Sequence, residues 1–122
     1  MSYDIVAVDK QGNGISLKEK HDITGGTYAI GGTNRAHLNI TYNYGKLFKQ
    51  YFLGDDGIKS INGMKVSLSI PVLLEVIGFM RGAPSKDYWE ATRGNATDAL
   101  IELLRLALLV EEEHPEAVWK IY

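Results

Sequence analysis

Two triplets, Gly25-Gly26-Thr27 and Gly31-Gly32-Thr33, stand six residues apart and bracket a short strand-like run, Thr27-Tyr28-Ala29-Ile30. Glycine lets a backbone turn sharply and lets a ligand approach closely. The triplets read either as tight turns at the two ends of a strand or as a cradle of backbone N–H groups for an anion, with Thr27 and Thr33 adding hydroxyls. A phosphate-binding P-loop is excluded. Gly32 stands where its lysine would be, and a strand-like segment follows where a helix is required. The run Gly12-Asn13-Gly14 lacks the third glycine of a dinucleotide fingerprint.

Just downstream, His37, Asn39 and Thr41 alternate with Leu38, Ile40 and Tyr42. This is the period of a half-buried strand. Its polar face offers neutral donors and acceptors suited to a base or a ribose, or it is simply solvated. His21 beside Asp22 has the composition of an acid–base pair, although sequence neighbours often diverge. A second polar cluster, Lys86-Asp87-Tyr88-Trp89-Glu90 with Thr92 and Arg93, joins aromatics to charges. It reads as a loop packed on the core or as a ligand or partner surface. Asp55 and Asp56 lack the further oxygen ligands of a calcium loop, so no metal site is expected.

The composition narrows the class. At 122 residues the chain reads as one domain, 1–122, large enough to bury about two thirds of its unfolded surface. A net charge of −2 argues against non-specific nucleic-acid binding. The absence of cysteine removes disulfides and thiol chemistry. No apolar run reaches membrane-spanning length and the start does not read as a signal peptide, so no membrane and a cytoplasmic setting are expected.

The elements that position these residues follow from periodicity. Tyr3–Asp9 and Ile15–Glu19 read as strands, joined by Lys10-Gln11-Gly12-Asn13-Gly14 into a hairpin. A helix begins near Asn43, with Tyr44, Leu47, Phe48, Tyr51 and Phe52 as its apolar stripe. Ile58 to Val66 is irregular. A second helix starts at Ser69-Ile70-Pro71 and buries Ile70, Leu73, Leu74, Ile77 and Met80. The longest helix is capped by Asn95. Its inner face is Ala96, Ala99, Leu100, Leu103, Leu104, Ala107 and Leu108. It carries more apolar surface than one stripe needs, which predicts a homo-oligomer. Ala117–Tyr122 can add a last strand. The expected fold is α+β: an N-terminal antiparallel sheet of three to four strands packed by three helices, with that possible C-terminal strand.

Several segments resemble a family of small accessory proteins of tailed phages and prophages. They are AHLNITYNYGKLF, GIKSINGM, SIPVLLEVI, DYWEATRGNATDALIELLRLA and the closing proline and Val-Trp. Asn39-Ile-Thr-Tyr-Asn43 and Asp87-Tyr-Trp-Glu-Ala-Thr-x-Gly-Asn-Ala96 are the most specific pieces, and the likeness runs from about Gly25 to Trp119. The resemblance implies a host-cell cytoplasmic setting and an accessory role of the kind often directed at host defence. It carries no catalytic residue and no cofactor.

Three functions are consistent with these residues. The first is a non-catalytic sponge that sequesters a small anionic, nucleotide-like defence signal. The triplets Gly25, Gly26, Thr27 and Gly31, Gly32, Thr33 would hold phosphates. Arg35, Lys46 or Arg93 would supply charge, Asn39 polar contacts, and Tyr28, Tyr88 or Trp89 a stacking face. The second is a protein-binding inhibitor of a host defence effector such as a CRISPR nuclease, acting through Asp55, Asp56, Glu111, Glu112 and Glu113. The third is a small hydrolase built on His21, Asp22 or His37. It lacks a recognisable nucleophile–base spacing.

Overall fold

The structure is a computed structural model, and it describes residues 1–24, 32–87 and 89–122. The fold is α+β, with five strands and three α-helices among the described residues. Strands β1 (Ser2–Val8), β4 (His37–Thr41) and β5 (Val118–Ile121) form an antiparallel sheet in the order β4-β1-β5. Strands β2 (Ser16–His21) and β3 (Thr33–Arg35) pair separately.

The expected β1–β2 hairpin forms only at its turn. Asp9 Oδ1 accepts the N–H groups of Gln11 (2.9 Å) and Asn13 (3.0 Å), and Gly12 adopts φ +82°. Beyond that turn β1 is claimed on one edge by β5 and on the other by β4. A strand has only two edges, so β2 turns away to β3. The sheets stay joined by a three-way exchange: Ala7 N–H donates to Ala36 O, Ile15 N–H to Ala7 O, and Ala36 N–H to Ile15 O, at 2.9–3.0 Å.

Alternation in β1, β4 and β5 sends Ile5, Ala7, Leu38, Ile40, Trp119 and Ile121 into the core. The aromatic stripe meets them there. Tyr44 lies in a 3-10 turn (Tyr42–Tyr44), Phe48 in α1 (Gly45–Tyr51) and Phe52 just after it; ring centroids are 6.0 and 5.8 Å apart in edge-on contacts. Ile58 and Ile61, in the segment read as irregular, are buried from a second 3-10 turn, Gly57–Ile61.

Helix α2 (Val66–Met80) begins three residues before the Ser-Ile-Pro start, which places Pro71 inside it. Its buried line is Val66, Ser69, Leu73, Val76 and Met80; Leu74 is exposed. The displacement has a polar cause. Ser69 Oγ donates to Val66 O (2.6 Å) and accepts the Trp119 indole N–H (2.8 Å), so a serine rather than an isoleucine faces the core. Helix α3 (Arg93–Glu113) is capped by Thr92, whose hydroxyl accepts the Asn95 N–H (3.1 Å). Asn95 itself is buried in the first turn. Its Nδ2 reaches Ser85 Oγ, Asp87 O and Glu90 O, all at 3.0 Å, and its Oδ1 accepts the Ser85 N–H at 3.0 Å. That knot anchors the 83–92 loop, so the residue read as a cap is a loop clamp. Leu106 and Val110 are buried where Leu108 was expected, and Leu104 is only partly buried.

Candidate functional site on the outer face of the sheet

Antiparallel register decides which polar groups meet. Asp4 lies opposite Asn39 and Val6 opposite His37, while Val6 also lies opposite Lys120. Cross-strand partners share a face. Ser2, Asp4, Asn39, His37 and Lys120 therefore stand on the side of the sheet away from the aromatic core.

They are wired together. Asn39 Nδ2 donates to Ser2 Oγ (2.7 Å) and to Asp4 Oδ1 (2.8 Å), and His37 Nε2 approaches the same Oδ1 at 3.1 Å. The Asn39 amide holds the Asp4 carboxyl below the ordinary carboxylate value. Partial burial pushes the other way, and His37 adds to the lowering. With Asp4 ionised, Nε2 is the protonated nitrogen of His37. Nδ1 and Asp4 Oδ2 have no partner among the described residues, so both remain open to a ligand.

A cavity of about 590 Å³ opens over this face, lined by Asp4, Val6, Gly14, Ile15, Ser16, Arg35, Ala36, His37 and Tyr122. Its size falls within the range of small-molecule pockets. Its lining comes from both sheets, which the Ala7–Ile15–Ala36 exchange holds together. Arg35 is exposed, and its guanidinium has no ion-pair partner among the described residues. Its backbone is fixed instead: the Arg35 N–H donates to Thr33 Oγ1 (3.1 Å), and Arg35 O accepts from His21 Nε2 (2.7 Å). Tyr122 is half exposed, with Lys120 Nζ 5.2 Å from its ring centroid.

The structure brings Arg35 and His37 into one cavity and places Asn39, 4 % exposed, directly behind Asp4 as its support. Gly32 is exposed with φ +65°, and the Thr33 hydroxyl is turned to the backbone. Lys46 is exposed on α1 and Arg93 on the first turn of α3; neither lines the cavity. Trp89 is 53 % exposed, its carbonyl accepts from Asn43 Nδ2 (2.8 Å), and it does not line the cavity either. Gly25, Gly26, Thr27, Tyr28, Gly31 and Tyr88 lie outside the described residues.

His21 does not act with Asp22. Its Nδ1 accepts the Ile23 N–H (3.2 Å), which leaves Nε2–H to donate to Arg35 O. Both nitrogens thus serve the backbone. Asp4, Ser16 and Tyr122 join the cavity, and Lys120 the same sheet face, without a sequence motif that marks them. The one available signal was the alternation Ser2–Asp4–Val6 against Ile5–Ala7, which marks a polar face and leaves its partner strand open.

Among the described residues, no group of three or more His, Asp or Glu side chains is placed to hold a metal ion. No described helix is long and apolar enough to cross a membrane. The chain matches no protein-family model, no curated protein and no solved structure.

Proposed function

We propose that the chain binds a small anionic, nucleotide-like ligand without turning it over, in the cavity over the outer face of the β4-β1-β5 sheet. One observation carries this reading: an unpaired guanidinium, a carboxylate with an open oxygen, an imidazole and an exposed phenol ring converge on one cavity of about 590 Å³. Arg35 takes the phosphate, as a planar fork suited to its oxygens. Asp4 Oδ2 accepts sugar hydroxyls, as acidic residues do in dinucleotide sites. His37 Nδ1 accepts one further donor, and Tyr122 offers a ring face to a base. Sequestration of a host defence signal by a phage accessory protein is the biological role in keeping with this chemistry and with the sequence resemblance.

The Asp4–His37 contact favours a second reading. A carboxylate that fixes an imidazole tautomer is the supporting half of a general base. His37 would then activate water, and the chain would be a small hydrolase.

A thermal-shift screen against nucleotides, cyclic di- and trinucleotides and ADP-ribose derivatives separates these readings. Ligand at 100 times its Kd adds about 2.7 kcal/mol, which moves the midpoint by several degrees for a domain of this size. Sequestration predicts a shift with one ligand class, recovery of that ligand intact, and loss of the shift in Arg35→Ala. Product formation that disappears in His37→Ala promotes the hydrolase. No shift with any ligand sinks both and redirects the search to a protein partner.

A further inference from the structure

Register sets two rows of side chains on the outer face of the β4-β1-β5 sheet. His37, Val6 and Lys120 form one row. Asn39, Asp4 and Tyr122 form the next, because Asp4 and Tyr122 exchange backbone hydrogen bonds: Tyr122 N–H donates to Asp4 O (2.9 Å) and Asp4 N–H to Tyr122 O (3.3 Å). Lys120 is therefore a diagonal neighbour of Asp4 on the shared face. It stands on the β5 side of the cavity, and Arg35 enters from the β4 side, two residues before His37. Strand β1 lies between them, which puts β4 and β5 about 9–10 Å apart.

Lys120 is exposed, and its ammonium has no carboxylate partner among the described residues. It rests 5.2 Å from the ring centroid of Tyr122, which lines the cavity; Lys120 itself does not. A cation–ring contact at an exposed site is weak, and a phosphate oxygen is the stronger partner for an ammonium. Between the two cations stands the ionised Asp4, with Oδ2 open. A single phosphate placed midway would lie against that carboxylate and be repelled. Each cation therefore takes a phosphate of its own, at opposite ends of the cavity, and the group between them donates hydrogen bonds to Asp4.

Resting on the reading of this cavity as a nucleotide site, we infer that its ligand carries a ribose between two separate phosphates. Arg35 holds one phosphate, Lys120 the other, and Asp4 Oδ2 accepts a ribose hydroxyl. Cyclic dinucleotides and nucleosides phosphorylated on both sides of the ribose share this chemistry. A mononucleotide and a contiguous diphosphate do not.

Calorimetric titration of the full chain with four probes tests this: AMP, ADP, adenosine phosphorylated on both sides of the ribose, and cyclic di-AMP. At least one of the last two should bind about tenfold more tightly than AMP and ADP. Lys120→Gln should remove that advantage and leave AMP affinity within about twofold, with an unchanged circular dichroism spectrum. Lys120→Arg should keep it. Arg35→Ala should weaken all four. Arg35-dependent binding without preference for the two-sided ligands overturns the inference and leaves the cavity reading standing, as does a preference that survives Lys120→Gln. An equal loss for AMP and cyclic di-AMP in Lys120→Gln also overturns it, since Lys120 would then only brace the Tyr122 ring. Absence of binding by all four overturns it too, while the cavity reading stands or falls with the wider thermal screen.

Discussion

The indole N–H of Trp119 donates to the hydroxyl of Ser69 across 2.8 Å, joining the last strand to helix α2 over fifty positions of sequence. Both residues are buried, Trp119 at 1 % exposure and Ser69 at 0 %. Ser69→Ala leaves that N–H without its acceptor, at a cost of about 1–3 kcal/mol. Urea unfolding should show a lower midpoint with an unchanged slope. An unchanged midpoint would mean that the indole finds another acceptor.

Asp4 gives the stability an acid limb. Its folded carboxyl loses its proton at lower pH than the unfolded one, because the Asn39 amide and then His37 favour the charged form. Its contribution is therefore complete above the unfolded value of about 3.9 and disappears as pH falls through the folded value. Asp4→Asn should flatten the pH dependence of stability in that range. A carboxyl NMR titration should place Asp4 below an ordinary aspartate, and Asn39→Ala should move it up. A normal Asp4 midpoint in the wild type would remove the basis for this limb.

Two glycines in the helix pair should respond in opposite senses to alanine. A Cβ on Gly94 would overlap the backbone of Ala83 and Pro84, so Gly94→Ala must push α3 away from the incoming chain. Overpacking of this kind costs about 1–3 kcal/mol or more. Gly78 has open space around it. In the isolated chain Gly78→Ala should add roughly 0.5–1 kcal/mol from helix propensity. Thermal melts of the two variants, taken at a concentration low enough to keep the chain monomeric, should move in opposite directions.

Ligand affinity should separate the cations. Arg35→Ala should cost about 1.5–3 kcal/mol of binding, the value of a hydrogen bond to a charged group, which is roughly 10- to 100-fold in Kd. Lys46→Ala, Trp89→Ala and Arg93→Ala should leave affinity within about twofold, since none of those residues lines the cavity. Calorimetric titration with a ligand from the thermal screen reads all four. Equal losses across the set would move the site out of this cavity.

His21 should be observed as the Nε2–H tautomer, because Ile23 N–H occupies its Nδ1. Nitrogen-15 shifts of the imidazole report this directly. The Nδ1–H tautomer would leave the link to Arg35 O without a proton.

Local patterns were legible in the sequence where a residue answers to its near neighbours. Alternation in His37–Thr41 gave the strand and its apolar side, and the Tyr44–Phe48–Phe52 spacing gave the aromatic stripe, since both depend only on backbone period. The Gly12 turn was legible in the run Lys10-Gln11-Gly12-Asn13-Gly14, and the Asp9 carboxylate closes it on the backbone N–H groups of Gln11 and Asn13. The inner face of α2 departs from its apolar spacing because a distant indole enters: Ser69 faces inward and accepts from Trp119. Asn95 looked like a cap because its type suits one, yet its partners lie five to ten residues upstream in a loop.

The candidate site divides in the same way. Sequence alone determined that β4 has a polar face and that Arg35 and His37 stand near it, because strand period is a property of the chain. Only the tertiary structure decided that Asp4 stands opposite Asn39 and that both sheets wall one cavity with Arg35 at its edge. Strand register and sheet order are settled by competition for the two edges of β1 and by burial of Ile5, Leu38 and Trp119 on its far side. Those are contacts between residues far apart in sequence, and no local pattern encodes which of them wins.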